Sequence, residues 1–162
     1  MCIRDRVRDG VPVVLDYKTG KAAKQNDFDE DPVLGGSKLQ LGAYAFAAKQ
    51  AFEAESAYAY YWYTTNNGDF AKAGYHWGDE QEERFLSAVT TIVDGIEQGM
   101  FPPNPGEYNS YYGTYENCKW CEFKRLCPVD RGSEFEQAVE SGRLVEFLAM
   151  VDPAIDDEAE EA

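Results

Sequence analysis

The sequence is poor in basic residues and in histidine. Its 162 residues include 15 lysines and arginines against 30 aspartates and glutamates, and His76 is the only histidine. A net charge of −15 argues against a protein that holds a polyanion over a broad basic surface of its own. Any such binding is expected to depend on other domains or subunits for most of its phosphate contacts. We expect His76 to be a half-buried strand residue.

Long apolar segments are also missing. No run approaches the ~20 apolar residues that cross a bilayer, and the N-terminus lacks the basic region and apolar core of a secretory signal. We therefore expect a cytoplasmic protein with no membrane partner. In such a chain, four cysteines favour metal binding or reduced thiols over disulfides.

The hydrophobic pattern predicts an α/β domain with a mixed β-sheet flanked by helices. The chain begins within a strand, so we expect that helices covering this sheet are missing upstream. Segments rich in glycine, proline and polar residues predict loops at 19–36 and 101–115. Strands are predicted at 3–7, 11–17, 57–65 and 70–77, and helices at 37–53, 79–99 and 133–150.

An acidic residue and a lysine stand at the end of the second predicted strand, in the sequence Asp-Tyr-Lys-Thr-Gly. Asp16 and Lys18 project from the same face, because alternate side chains of a strand do so. Asp5 lies on the preceding strand, and antiparallel pairing can bring it beside Asp16. Together with the backbone carbonyl of Tyr17, these carboxylates form an oxygen-rich site of the kind that Mg²⁺ or Mn²⁺ prefers.

This arrangement suits hydrolysis of a phosphodiester. Lys18 would orient or help deprotonate the attacking water and offset the charge that grows on the phosphate. The alternative is a surface hairpin whose Asp16 and Lys18 are simply solvated, since the pattern D-x-K is common by chance.

The helix that follows carries a second polar pair. Gln40 and Tyr44 are four residues apart and therefore share one helix face. By itself this pattern is also that of an ordinary amphipathic helix with a polar edge.

Three cysteines lie within ten residues near the C-terminus. Cys118, Cys121 and Cys127 form the pattern C-x2-C-x5-C, which suits zinc or an iron–sulfur cluster. Both groups take four ligands, and the spacing does not choose between them. Cys2 is the only other cysteine, and it precedes Asp5 in the predicted active-site strand. We therefore expect the fourth ligand to lie outside this chain.

Taken together, these motifs resemble the RecB- and AddB-type nucleases of the PD-(D/E)xK superfamily. Residues 3–7 (IRDRV) and 13–20 (VVLDYKTG) resemble the family cores G-x-I-D-R-V and V-x-D-Y-K-T-G, although Arg4 replaces the usual apolar residue. The motifs Q-x3-Y and C-x2-C-x5-C-P follow in the family's order.

The resemblance implies a restriction-endonuclease-like fold with a C-terminal cysteine-bearing metal-cluster segment. It makes Asp5 and Asp16 metal ligands and Lys18 the catalytic lysine. It implies that Gln40 helps to hold the metal or the scissile phosphate, and that Tyr44 contacts the DNA strand; we add Lys38 as a backbone contact. In AddB-type nucleases a 4Fe–4S cluster joins such cysteines to one from upstream of the core.

The expected function is that of a metal-dependent DNA exonuclease, the nuclease module of a helicase–nuclease that works on broken DNA ends. The expected organisation is a truncated nuclease core at 1–117, a cysteine segment with a helix at 118–150, and a disordered acidic tail at 151–162. Alternatives are a CRISPR spacer-acquisition exonuclease, a non-catalytic DNA-binding module and a zinc-ribbon interaction protein.

Overall fold

A mixed four-stranded sheet forms the centre of the molecule. The computed structural model describes residues 3–152, and for residues 3–6 and 26 it describes the backbone alone. The strands are β1 (Ile3–Arg8), β2 (Val11–Lys18), β3 (Ala57–Tyr63) and β4 (Lys72–Trp77), with a small hairpin of β5 (Tyr108–Asn109) and β6 (Thr114–Tyr115). The helices are α1 (Gln25–Glu30), α2 (Gln40–Ala51), α3 (Asp79–Glu97), α4 (Arg131–Glu140) and α5 (Val145–Val151).

The strands follow one another across the sheet in the order β1-β2-β3-β4. β1 and β2 are antiparallel and are joined by Asp9 and Gly10, both at positive φ, as a two-residue hairpin turn requires. β2 and β3 are parallel, and α2 makes the crossover between them, whereas β4 returns antiparallel to β3. The predicted fold class, a mixed sheet flanked by helices, is confirmed.

The core lies between one face of the sheet and helices α2 and α3. Alternate residues of β3 and β4 are buried on this face, including Tyr61 and Trp77. Gly42 brings α2 close to α3, because a Cβ at this position would lie 2.5 Å from the ring of Phe85. Met150 of α5 joins the same cluster, so the last described helix packs on the core. The domain division predicted at residue 117 stays a prediction.

The opposite face of the sheet is more open. Tyr58 is 36% exposed, its ring lies 4.9 Å from that of His76, and Lys72 lies 4.6 Å above the ring of Trp62. His76 is exposed and stands on the face opposite Asp16. No helix within residues 3–152 is long and apolar enough to cross a bilayer.

A charged clamp joins three parts of the chain. Arg84 on α3 donates two hydrogen bonds to the carboxylate of Asp31, at 3.1 and 3.0 Å, and one of 2.7 Å to the carbonyl of Met150. Burial alone would raise the pKa of Asp31. The hydrogen bonds from Arg84 and from the backbone N–H groups of Gly35 and Val33 outweigh it and hold the pKa below the ordinary 3.8. The clamp fixes the turn that leads into α2.

Two predictions for the segment before α2 were wrong. Ser37 does not cap the helix, because its hydroxyl donates to the carbonyl of Leu34 and the N–H of Lys38 bonds to Val33. These bonds close a turn, and α2 begins at Gln40. The predicted loop 19–36 contains the short helix α1, whose Gln25 side chain exchanges two hydrogen bonds with the backbone of Gly74 on β4.

Two further segments differ from prediction. The return strand begins at Lys72 rather than at residue 70, because a 3₁₀ turn at Asn66–Gly68 is followed by positive φ at Asp69 and Phe70. The single helix predicted at 133–150 is two helices, α4 and α5, separated by a turn with Gly142 at a φ of 72°. Of the tail predicted at 151–162, Val151 is the last residue of α5, and residues 153–162 lie outside the described part of the chain.

Candidate active site

A buried carboxylate stands near the end of β2. Pro12, Val14 and Asp16 alternate along the buried face of this strand, and Asp16 is 0% exposed. Lys18 Nζ lies 2.9 Å from Asp16 Oδ2 and forms an ion pair with it. Apart from this ammonium, neither carboxylate oxygen has a hydrogen-bond partner among the described residues. A buried anion in this state needs further positive charge or a ligand.

Lys18 links this carboxylate to the surface of the protein. Its side chain is 33% exposed, and Nζ donates a 2.8 Å hydrogen bond to Oε1 of Gln40. Nζ also lies 4.7 Å above the ring of Tyr61. The strand register explains this contact, because Asp16 pairs with Tyr61 and Lys18 with Tyr63 on the same face. Lys18 is thus held on three sides.

Gln40 and Tyr44 occupy one face of α2, as their spacing predicts. Nε2 of Gln40 donates a 3.0 Å hydrogen bond to the hydroxyl of Tyr44. The crossover from β2 to β3 carries this helix over the sheet, and its first turn meets the end of β2. The structure therefore brings the side chains of Asp16, Lys18, Gln40 and Tyr44 into one connected polar group.

Tyr61 contributes an uncharged aromatic ring to this group of polar side chains. Burial raises the pKa of its phenol to about 12, and the nearby carboxylate of Asp16 contributes in the same direction. The ring therefore remains uncharged at neutral pH, and its face favours the ammonium of Lys18 through a cation–π contact.

Two predicted metal ligands are only partly described. The β1–β2 ladder pairs Asp5 with Val14 and Ile3 with Asp16, so the backbone of Asp5 runs beside the buried part of β2. The side chain of Asp5 lies outside the described residues. Tyr17 pairs with Trp62 of β3, and the described ladder with β1 stops one residue earlier, at Asp16.

A cavity of about 560 Å³ opens beside Lys18 and Gln40. Lys38, predicted as a DNA contact, lines it. Lys21 lines it as well and was missed by the sequence reasoning, because it lies in the loop beyond the end of β2, where strand spacing does not apply. The remaining lining residues come from α1, from the loops on both sides of it and from β3: Gly20, Ala22, Ala23, Phe28, Ser37, Leu39, Tyr61 and Tyr63.

The three cysteines of the C-terminal segment do not converge. Cys118 is buried and its Sγ accepts a 3.7 Å hydrogen bond from Arg131, whereas Cys121 and Cys127 are partly exposed free thiols. Within residues 3–152, no three histidine, cysteine or acidic side chains are grouped so that they could hold a metal ion. The expected cluster geometry is therefore not formed in this arrangement.

Comparison with known families gives one clear result. The model of the PD-(D/E)XK nuclease superfamily matches residues 3–128, which span both the Asp16–Lys18 pair and the three cysteines. Comparison with curated proteins and with solved structures gives no match. Members of this superfamily hydrolyse phosphodiesters with divalent metal ions. By this match the chain belongs to the PD-(D/E)XK nuclease superfamily.

Proposed function

We propose that this domain is a metal-dependent DNA exonuclease whose centre is formed by Asp16, Lys18 and Gln40. The observation that supports it is the contact of Lys18 Nζ with Asp16 at 2.9 Å and with Gln40 at 2.8 Å. A lysine in a solvated hairpin would make neither contact. The family match covers all three positions.

Asp16 and Asp5, with the carbonyl of Tyr17, would hold Mg²⁺ or Mn²⁺. The donor set fits a hard divalent cation, because Asp16 is fully buried and, Lys18 apart, no described residue bonds to its oxygens. One ammonium at 2.9 Å does not satisfy two carboxylate oxygens. When bound, the metal would polarise the phosphate and lower the pKa of water.

Lys18 would act on the phosphate or on the attacking water. Its ammonium has three N–H donors, and Asp16 and Gln40 engage at most one each. The third remains available to a phosphoryl oxygen or to water, on the exposed side of the residue. Gln40 keeps Nζ in place through its carbonyl oxygen, and Tyr44 fixes the orientation of the Gln40 amide.

The resemblance to RecB- and AddB-type nucleases supports a role in double-strand break repair and recombination, with DNA as substrate and a helicase domain or subunit as partner. The acidic composition also supports a partner, because a chain with a net charge of −15 provides few phosphate contacts. A CRISPR spacer-acquisition exonuclease carries the same four motifs and is the alternative within this class.

We further propose that Cys118, Cys121 and Cys127 bind a 4Fe–4S cluster together with a cysteine from outside this chain. The spacing C-x2-C-x5-C supports it, while zinc remains the alternative. The thiols would have to move together, since they are not grouped among the described residues. Absorption near 400 nm after anaerobic purification would support iron–sulfur, and a colourless, zinc-loaded sample would contradict it.

The nuclease proposal is tested by cleavage of end-labelled DNA in Mg²⁺ by wild-type protein, Asp16→Asn, Lys18→Met and the control Lys72→Met. Lys72 stands on the opposite face of the sheet. We expect both active-site variants to lose about 100-fold or more in kcat/KM while remaining folded, and the control to keep wild-type activity. An exonuclease would also leave circular DNA uncut.

Two outcomes would contradict the proposal. If Lys18→Met cleaves as well as the control, the Asp16–Lys18 centre does not perform the reaction. If wild-type protein binds DNA but does not cleave it in Mg²⁺ or Mn²⁺, the non-catalytic binding module is favoured.

A further inference from the structure

The cavity beside Lys18 extends away from the buried carboxylate. Lys18 and Gln40 line it, but Asp16 does not, because Asp16 is fully buried. The cavity continues past the end of β2 to Gly20 and Lys21 on one side and to Lys38 on the other. If a polymer is bound at Asp16, the unit next to the reacting bond would therefore lie in this cavity.

The charge of this cavity is opposite to that of the protein. Three lysines, Lys18, Lys21 and Lys38, line it, and none of its described lining residues is acidic, although the chain carries 30 acidic residues and 15 basic ones. A neighbouring cavity of about 490 Å³, on the far side of α1, shows the contrast. Its charged lining residues are all acidic: Asp27, Glu30, Asp31 and Asp152.

The side chains of Lys21 and Lys38 make no ion pair that stabilises the described part of the fold. Both are exposed, and neither forms an ion pair with any residue in the described part of the chain. This differs from Lys49, whose ammonium lies 2.7 Å from Glu82. Two ammonium groups without a carboxylate partner can each bind a phosphate without first breaking an internal contact.

The size of the cavity and its remaining walls also fit one nucleotide. A volume of about 560 Å³ falls within the range of about 300–1,000 Å³ that is typical of small-ligand sites, and a duplex could not enter it. Ala22, Ala23 and Leu39 are half-buried along its walls and provide apolar contact without hydrogen-bonding groups on their side chains. Such walls accept a sugar or a base without reading its sequence.

We propose that this cavity is a subsite for the nucleotide next to the scissile phosphate, and that Lys21 and Lys38 together bind the phosphate of that nucleotide. The inference rests on the proposed nuclease function and adds Lys21 as a residue that positions the strand. Since the contacts are to the backbone and to apolar walls, the subsite does not select a base sequence.

The direct test is the salt dependence of binding to a fluorescein-labelled oligothymidylate of 20 nucleotides, measured by anisotropy in EDTA. The variants are Lys21→Ala, Lys38→Ala, the double variant and the control Lys72→Ala. For single strands each lost phosphate contact reduces the magnitude of the slope of log K against log salt by about 0.7, so the double variant, which loses its contacts with one phosphate, should show a reduction of about 0.7. Lys72→Ala should keep the wild-type slope. Equal slopes for the double variant and the control would overturn the subsite.

Steady-state kinetics in Mg²⁺ separates this inference from the nuclease proposal. We expect the double variant to raise KM about tenfold with a smaller effect on kcat, because the two lysines it lacks bind the strand and do not contact Asp16. Loss of kcat at unchanged KM would overturn the inference. If Lys18→Met is inactive and the double variant matches Lys72→Ala, the subsite alone fails; if Lys18→Met is active, the nuclease proposal itself fails.

Discussion

Replacing Arg84 with alanine removes the clamp that fixes the turn before α2. Arg84 donates two hydrogen bonds to Asp31 and a third, of 2.7 Å, to the carbonyl of Met150. The side chains of Arg84 and Asp31 are 21% and 13% exposed, so the exposure of this ion pair is intermediate between that of a buried pair and that of a surface pair. The turn it holds leads directly to Lys38 and Gln40.

The expected loss of stability follows from these contacts. Surface ion pairs contribute about 0–1 kcal/mol, whereas breaking a buried pair costs about 3–5 kcal/mol, so we expect Arg84→Ala to cost about 3 kcal/mol at pH 7. For a domain of this size the melting temperature should fall by about 6–12 °C. Chemical and thermal unfolding, followed by circular dichroism, measures both quantities. Arg143→Ala is the matched control, because Arg143 is exposed and bonds only to Ser141 among the described residues.

The pH dependence gives a second check. The folded-state pKa of Asp31 lies below 3.8, so its contribution to stability is present above pH 3.8 and is lost as the pH falls through the folded-state value. The difference in unfolding free energy between wild type and Arg84→Ala should therefore narrow below pH 3.8. A difference of less than 1 kcal/mol at pH 7, or one that does not change down to the acid transition, would refute this reasoning.

Two further predictions concern the sheet. Gly74→Ala should lower the free energy of unfolding by about 3 kcal/mol, because the new Cβ would overlap the backbone carbonyl of Ala59. Gly20→Ala is the control and should melt like wild type, because a Cβ at Gly20 meets nothing within 4 Å. Tyr61→Phe should leave the pH profile of cleavage unchanged between pH 6 and 10, because the pKa of Tyr61 is about 12; a shifted alkaline limb would show that the phenol titrates in the reaction.

The parts of the fold that were predictable from the sequence are those in which local pattern and tertiary packing agree. The apolar run of β2, the hairpin turn at Gly10 and the apolar stripe of α3 all specify elements that the structure contains. The start of α2 was not predictable in this way. Ser37 is a good capping residue, but the contacts of Val33 and Leu34 with the two residues at 37 and 38 close a turn first.

The same distinction between local pattern and tertiary packing applies to the candidate site. Strand alternation and helix spacing are local rules, and they identify Asp16 with Lys18 and Gln40 with Tyr44 as pairs that share a face. The contact between the two pairs depends on the crossover of α2, which spacing alone does not give. Lys21 was missed because only the path of the loop after β2 brings it to the cavity of Lys18. For the cysteines, sequence spacing predicts a shared metal site, but no three potential metal ligands are grouped within residues 3–152.

The central claim, that Asp16 belongs to a metal centre, is tested most directly by anomalous diffraction from crystals of the protein soaked in Mn²⁺. We expect a manganese peak at the carboxylate of Asp16 in wild-type crystals and no such peak in Asp16→Asn. Manganese bound elsewhere in the molecule, with none at Asp16, would contradict it.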